Sequence, residues 1–201
     1  MAGEALGREG DAARGCDPVT RGIRSLLKCL VVLPVLCCIA GCTPSLHDVI
    51  GLGDMELAAQ MLAADPALAA SENELGKQPL QYAVYYNQAE ALDLLRDAGA
   101  DLNAADKTGM TALHVAARFG RRATLWLLAQ GVDFQRPDVF GDLPSHTAAI
   151  YGQDRVIKAL HKAGDPLTTK NEAGLTPAAL ARKYRQEETA VLIESLVENQ
   201  S

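Results

Sequence analysis

The sequence predicts an all-α fold, a solenoid of about five helix–turn–helix repeats with short hairpin-like connections. Three observations predict it. Four segments align along the chain, opening at Gly76, Gly109, Gly141 and Gly174, at spacings of 33, 32 and 33 residues. Each carries a short helix signal, a stop about eight residues on, then a second apolar run that ends in a Gly-containing turn. All five cysteines lie within the first 42 residues, so the repeats hold no thiol for a disulfide, a thiolate metal site or a cysteine nucleophile. A unit this small cannot bury its apolar face alone, and stacking supplies the shared core.

Taken from the N-terminus, the first element is a leader over residues 1–41. Arg21, Arg24 and Lys28 precede an uncharged run over residues 29–41. That run is shorter than the ~20 apolar residues of a spanning helix, and Pro34 interrupts it, so a cleaved signal peptide is expected. It closes on Ile39-Ala40-Gly41-Cys42, which resembles the lipobox of bacterial lipoproteins. The resemblance implies removal of residues 1–41, lipidation of the Cys42 sulfur and acylation of the new amino terminus. Several chains on one residue anchor stably, whereas one alone binds a membrane marginally. In those lipoproteins Asp after the cysteine favours the inner membrane; Thr43 here implies the outer membrane, periplasmic side. Residues 1–18 are mixed in charge and do not suit such a leader, so Val19 is expected as the true start and residues 1–18 as a gene-model artefact.

Residues 42–44 form the lipidated cysteine and a short tether, and residues 45–201 the repeat domain. A degenerate copy over 45–72 opens at Leu46-His47-Asp48-Val49-Ile50. The copies over 73–105 and 106–137 carry Gly76-Lys77-Gln78-Pro79-Leu80-Gln81-Tyr82-Ala83 and Gly109-Met110-Thr111-Ala112-Leu113-His114-Val115-Ala116. Those over 138–170 and 171–201 carry Gly141-Asp142-Leu143-Pro144-Ser145-His146-Thr147-Ala148 and Gly174-Leu175-Thr176-Pro177-Ala178-Ala179-Leu180-Ala181. With the pattern Thr-Pro-Leu-His-x-Ala divided among these copies, the array resembles ankyrin repeats from residue 45 to about 198.

The residue chemistry points to the same architecture. Thr176 before Pro177 is a helix start, with a hydroxyl to cap free N–H groups and a ring whose φ suits the first helical position. Gly120 and Gly152 stop the first helix, where glycine tolerates the left-handed conformation, and Asn87 tolerates it too. Arg185 takes this position in the last copy. Second helices carry Leu94-Leu95, Leu127-Leu128 or Val156-Ile157-Leu160, and Ala116-Ala117 and Ala148-Ala149 let helices approach closely. The third copy lacks one residue between Gly120 and Gly131. Residues 45–72 and 171–201 are expected to be caps, the latter with a polar final helix.

Catalysis is not expected. His114 and His146 share one slot of consecutive repeats, too far apart for one metal; in ankyrin proteins such histidines brace the turn, and His47 matches the slot. His161 falls on the polar side of a second helix. Ser145-His146 is adjacency, not a dyad, and the chain has no Gly-x-Ser-x-Gly elbow, His-Glu-x-x-His pair, phosphate loop or dinucleotide fingerprint. No cofactor or metal is expected. From Cys42 onward 14 basic groups face 21 acidic ones, which argues against nucleic acid and makes a basic or mixed protein partner easier to accept.

What remains is surface. The residue before each first-helix stop reads Tyr86, Phe119, Tyr151 and Tyr184; one position earlier stand Tyr85, Arg118, Ile150 and Lys183. In ankyrin proteins these slots face the concave groove with the hairpin tips, here Glu74, Leu75, Lys107, Thr108, Val139 and Phe140. Tyr and Arg in a desolvated patch are hot-spot chemistry. Packing between adjacent first helices is the alternative reading of the aromatic slot. The expectation is a monomeric, lipid-anchored, periplasm-facing protein that binds another protein through its concave face and meets the membrane through its lipid alone. Narrower versions are an immunity protein against a periplasm-acting toxin, or an accessory factor for an enzyme such as a catalase or peroxidase.

Overall fold

A computed structural model describes residues 44–120 and 122–199. The leader expected over residues 1–41 and the lipidation expected at Cys42 fall outside these residues. The described part holds ten α-helices: α1 (Leu46–Leu52), α2 (Met55–Ala64), α3 (Pro79–Tyr85), α4 (Ala89–Asp97), α5 (Ala112–Phe119), α6 (Ala123–Ala129), α7 (Pro144–Ile150), α8 (Asp154–Lys162), α9 (Pro177–Lys183) and α10 (Glu187–Glu198). A 3-10 turn, Pro66–Ala70, follows α2. Odd-numbered helices pack on one another in sequence, and each pairs with the even-numbered helix that follows it. This is the all-helical repeat solenoid that the 33-residue period predicts.

The helices start where a side chain or proline suits the first turn. Ser45 and Asp48 cap α1 reciprocally, and Thr176 Oγ1 accepts from Ala179 N above Pro177. They stop at left-handed residues: Gly53, Gly120 and Gly152, but also Asn87 at φ 57° and Arg185 at φ 62°. The third copy, one residue shorter between Gly120 and Gly131, has a short α6: it begins three residues after its stop where α4 and α8 begin two after theirs, and has seven residues where they have nine. α1 is also one residue short, counted from its cap Ser45 to Gly53.

The core runs the length of the stack. Leu46, Ile50, Leu80, Leu95, Leu113, Leu127, Ile157, Leu160 and Ile193 are fully buried. Each such side chain contributes about 1.5–3 kcal/mol relative to exposure. Ala83, Ala116, Ala117, Ala148, Ala149 and Ala181 have no exposed surface at all, and the odd-numbered helices approach through them.

Two hydrogen-bond ladders fix the spacing. At the tips Asn73, Asp106 and Asp138 each accept backbone N–H bonds from the residues two and four further on, at 2.8–3.1 Å, and Asn171 accepts one from Leu175. Each tip then bonds the next through Lys107 N to Leu75 O, Val139 N to Thr108 O and Glu172 N to Phe140 O. The approach is close enough that a Cβ on Gly109 would stand 2.8 Å from Asp138 Cα, at a residue whose φ is already +79°.

The second ladder lies in the His slot. His114 Nδ1 accepts from Thr111 N and Nε2 reaches Asp142 O; His146 Nδ1 accepts from Leu143 N and Nε2 reaches Leu175 O. Because Nδ1 accepts, the proton sits on Nε2, which donates to the neighbouring repeat. Gln81 makes the same pair of bonds, Gln78 N to its Oε1 and its Nε2 to Met110 O. His47 keeps the inter-repeat bond, to Lys77 O. It stands six residues before Gly53, as His114 does before Gly120, while Asp48 takes over the cap because α1 starts one residue late. Burial pushes the pKa of both His114 and His146 below the ordinary imidazole value.

Candidate functional site

The last turn of each odd-numbered helix displays the slots singled out in the sequence. Tyr85 is 50% exposed, Tyr86 47%, Tyr151 42% and Tyr184 47%, so the rings are half open rather than core. Arg118, Phe119 and Ile150 are half-buried and Lys183 is exposed. The two readings of the aromatic slot meet here, because the rings pack on one another across repeats and still keep an open side.

Their contacts form a chain. The His47 ring meets Tyr82 edge-on at 5.1 Å, Tyr82 lies 6.1 Å from Tyr86, and Tyr86 meets Tyr85 edge-on at 5.0 Å. Tyr85 crosses to the next repeat and meets Phe119 edge-on at 5.3 Å. The Arg118 guanidinium then lies 5.4 Å from the Phe119 ring centroid and 5.1 Å from that of Tyr151. Such edge-on and cation–π contacts hold rings in place without hiding them. Burial, followed by the Tyr85 neighbour, raises the Tyr86 phenol above its ordinary pKa. Tyr184 and Lys183 stand at the far end of the strip, outside this chain of ring contacts.

Sequence reasoning missed parts of the strip. Tyr82 joins it from within α3, one helical turn before Tyr86. Leu52, one residue before Gly53, continues the slot into the first repeat and is 70% exposed. Its signal was present in the spacing from Gly53 but hidden by the degenerate copy. Gly51 gives Tyr86 a flat seat on α1, where an added Cβ would come within 3.2 Å of the ring. The glutamines that follow three of the stops, Gln88, Gln153 and Gln186, also went unread. A Cβ added to Gly53, Gly120 or Gly152 would meet Gln88, Gln153 or Gln186 of the next repeat, and Gln153 Nε2 donates to Arg118 O at 3.2 Å.

The tips add a second exposed apolar group, with Leu75 at 59%, Val139 at 52% and Phe140 at 67%. Lys107 Nζ donates to Glu74 O and ties two tips together. Thr108 instead turns inward, Oγ1 donating to Asp106. Between the tips of the last two repeats an open cavity of about 410 Å³ is lined by Gln135, Pro137, Leu143, Thr169 and Asn171 among others.

The histidines do not converge on chemistry. Both ring nitrogens of His146 are committed to backbone, which leaves it nothing to offer Ser145, whose Oγ is buried. Among the described residues no group of three or more His, Cys, Asp or Glu side chains could hold a metal, and no helix is long and apolar enough to cross a membrane.

Comparison with known proteins agrees with this geometry. Residues 46–138 match the family model described as Ankyrin repeats (3 copies). Inversin of Gallus gallus is 32% identical over 111 residues, 55% of this chain and 10% of its own. Protein PhlB of Serratia liquefaciens is 37% identical over 109 residues, 53% of this chain and 48% of its own. A putative ankyrin repeat protein of Rickettsia bellii (strain RML369-C) is 35% identical over 89 residues, 43% and 49% respectively. This chain therefore spans less than half the length of each of these relatives. Period, helix order and family match converge, and the described part of this chain is an ankyrin-repeat solenoid.

Proposed function

We propose that this protein binds another protein through the face formed by the last turns of α1, α3, α5, α7 and α9, and that a lipid on Cys42 holds it at the periplasmic side of the outer membrane. The observation that carries the binding reading is the half-open strip of Tyr85, Tyr86, Phe119, Arg118 and Tyr151, fixed by its own ring contacts from repeat to repeat. Rigid aromatic and Arg side chains lose little entropy on docking, which makes them efficient anchors. The lipidated-anchor reading rests on the Ile39-Ala40-Gly41-Cys42 sequence. Because α1 is capped at Ser45, Thr43 and Pro44 are the whole tether, and at ~3.5 Å per residue it holds the first repeat within roughly 10 Å of the lipid.

Phe119→Ala and Tyr151→Ala test the face. Each is expected to cost about 2 kcal/mol or more of binding to the partner. Their thermal stability should fall by less than the ~3–5 kcal/mol of a buried aromatic, because both rings keep open surface. Partner capture and melts measured together decide it: unchanged capture by both variants places the partner elsewhere. For the anchor, wild type should fractionate with membranes and carry an acyl label that Cys42→Ser lacks; equal release of both contradicts it.

A further inference from the structure

The two helix layers differ in charge. α1, α3, α5, α7 and α9 carry one carboxylate, Asp48, against Arg118, Arg182 and Lys183. The even-numbered helices carry nine carboxylates against four Arg and Lys. The odd-numbered layer of an acidic protein is thus cationic. Arg182 is taken up by Glu194 and Glu187. Arg118 and Lys183 have no carboxylate partner among the described residues, and exposed Arg185 follows directly after Tyr184.

Arg118 is the better prepared of the two. Phe119 and Tyr151 hold its guanidinium against their rings, a contact that leaves the N–H edges available to a planar two-oxygen acceptor. Lys183 occupies the same slot two repeats on, with Ile150 and Tyr151 between them. First helices that pack about 8–10 Å apart put the two cations roughly 20 Å from each other. An extended chain covers that span in about six residues at ~3.3 Å each. Carboxylates also stand beside the strip: Asp48 near Tyr86 at the opposite end, Glu187 and Glu194 on Arg182 next to Lys183, and Asp154 and Glu188 with Arg185 around Gly152.

We infer that the face over the last three repeats takes an extended acidic segment of a partner protein, with two carboxylates about six residues apart that bracket an apolar or aromatic side chain over Ile150 and Tyr151. The net charge of the chain points to a basic partner, and the local charge of this face reverses that expectation. A nucleic acid is a poorer occupant, since two cations so far apart neutralise few phosphates and the remainder of the surface repels them. The inference rests on the proposal that this face binds protein.

The test uses detergent-solubilised full-length protein and fluorescence anisotropy with two labelled peptides, Glu-Gly-Leu-Phe-Leu-Gly-Glu and the same sequence with Lys in place of both Glu. Wild type is expected to bind the Glu peptide about tenfold or more tighter, and the Arg118→Glu, Lys183→Glu double variant to reverse the order. Should that variant fail to fold, Arg118→Gln with Lys183→Gln is expected to abolish the preference. Equal binding, preference of wild type for the Lys peptide, tighter binding of an oligothymidylate, or no binding of either peptide overturns the inference. Lys-peptide binding that Tyr151→Ala abolishes would spare the face and remove only the acidic occupant. Binding that Tyr151→Ala leaves unchanged would remove the face as well.

Discussion

The His slot shows what one residue does in a stack. His114 and His146 bond their own helix start through Nδ1 and the next repeat through Nε2, an arrangement open only to the neutral ring. Protonation of Nδ1 would set N–H against N–H, and burial opposes the charge, although Asp142, Asp138 and Asp106 around His114 and Asp142 and Asp165 near His146 favour it. Both folded pKa values lie below the ~6.5 of an unfolded histidine. Between the two values the unfolded chain binds more protons, so stability is fully present above about pH 6.5 and is lost as pH falls below it. Gln81 makes the same bonds without a titration, which supplies the control. Melts at about pH 7.5 and about pH 5.5 should show a larger drop in Tm for wild type than for His114→Gln, His146→Gln; equal drops would sink this account. The slot itself was legible in the sequence through Thr111 and His114. The substitution by Gln81 was not, because a glutamine in a helix start signals nothing until its two bonds are seen.

At the scale of elements, prolines, threonines and glycines marked where helices begin and end, and the structure follows them at Pro79, Pro144 and Pro177 and at Gly120 and Gly152. The short α1 escaped the sequence because its copy has no Gly-Thr-Pro segment from which to count. Helix approach is set by alanine. Ala148 has no exposed surface, so Ala148→Leu forces α7 away from its neighbours and is expected to cost about 1–3 kcal/mol, read from denaturant melts. The tips behave differently. Gly109→Ala meets the backbone of the next tip at 2.8 Å, whereas a Cβ on Gly131 meets nothing within 4 Å although its φ is 74°. Gly131→Ala should therefore cost about 1–2 kcal/mol of left-handed strain alone, and Gly109→Ala more than that. Equal losses would mean that the tips yield.

For the molecule as a whole, the period, the helix pairs and the positions of Tyr86, Phe119, Tyr151 and Tyr184 could be read from spacing alone. The mutual packing of the strip could not, since sequence gives the slot and leaves the side-chain torsions open; nor could the contrast in charge between the two helix layers, which a net charge averages away. Those two properties make the face of the odd-numbered helices packed ring on ring, half open and cationic in an acidic chain. The central claim is that this face docks a protein, and site-specific photo-crosslinking in intact cells tests it most directly. A benzophenone amino acid placed at Ile150 at the end of α7, and separately at Leu125 on α6, reports contact with each helix layer. Crosslinks to a protein partner from position 150 and none from 125 are the predicted result; crosslinks from 125 alone, or from neither position, would contradict it.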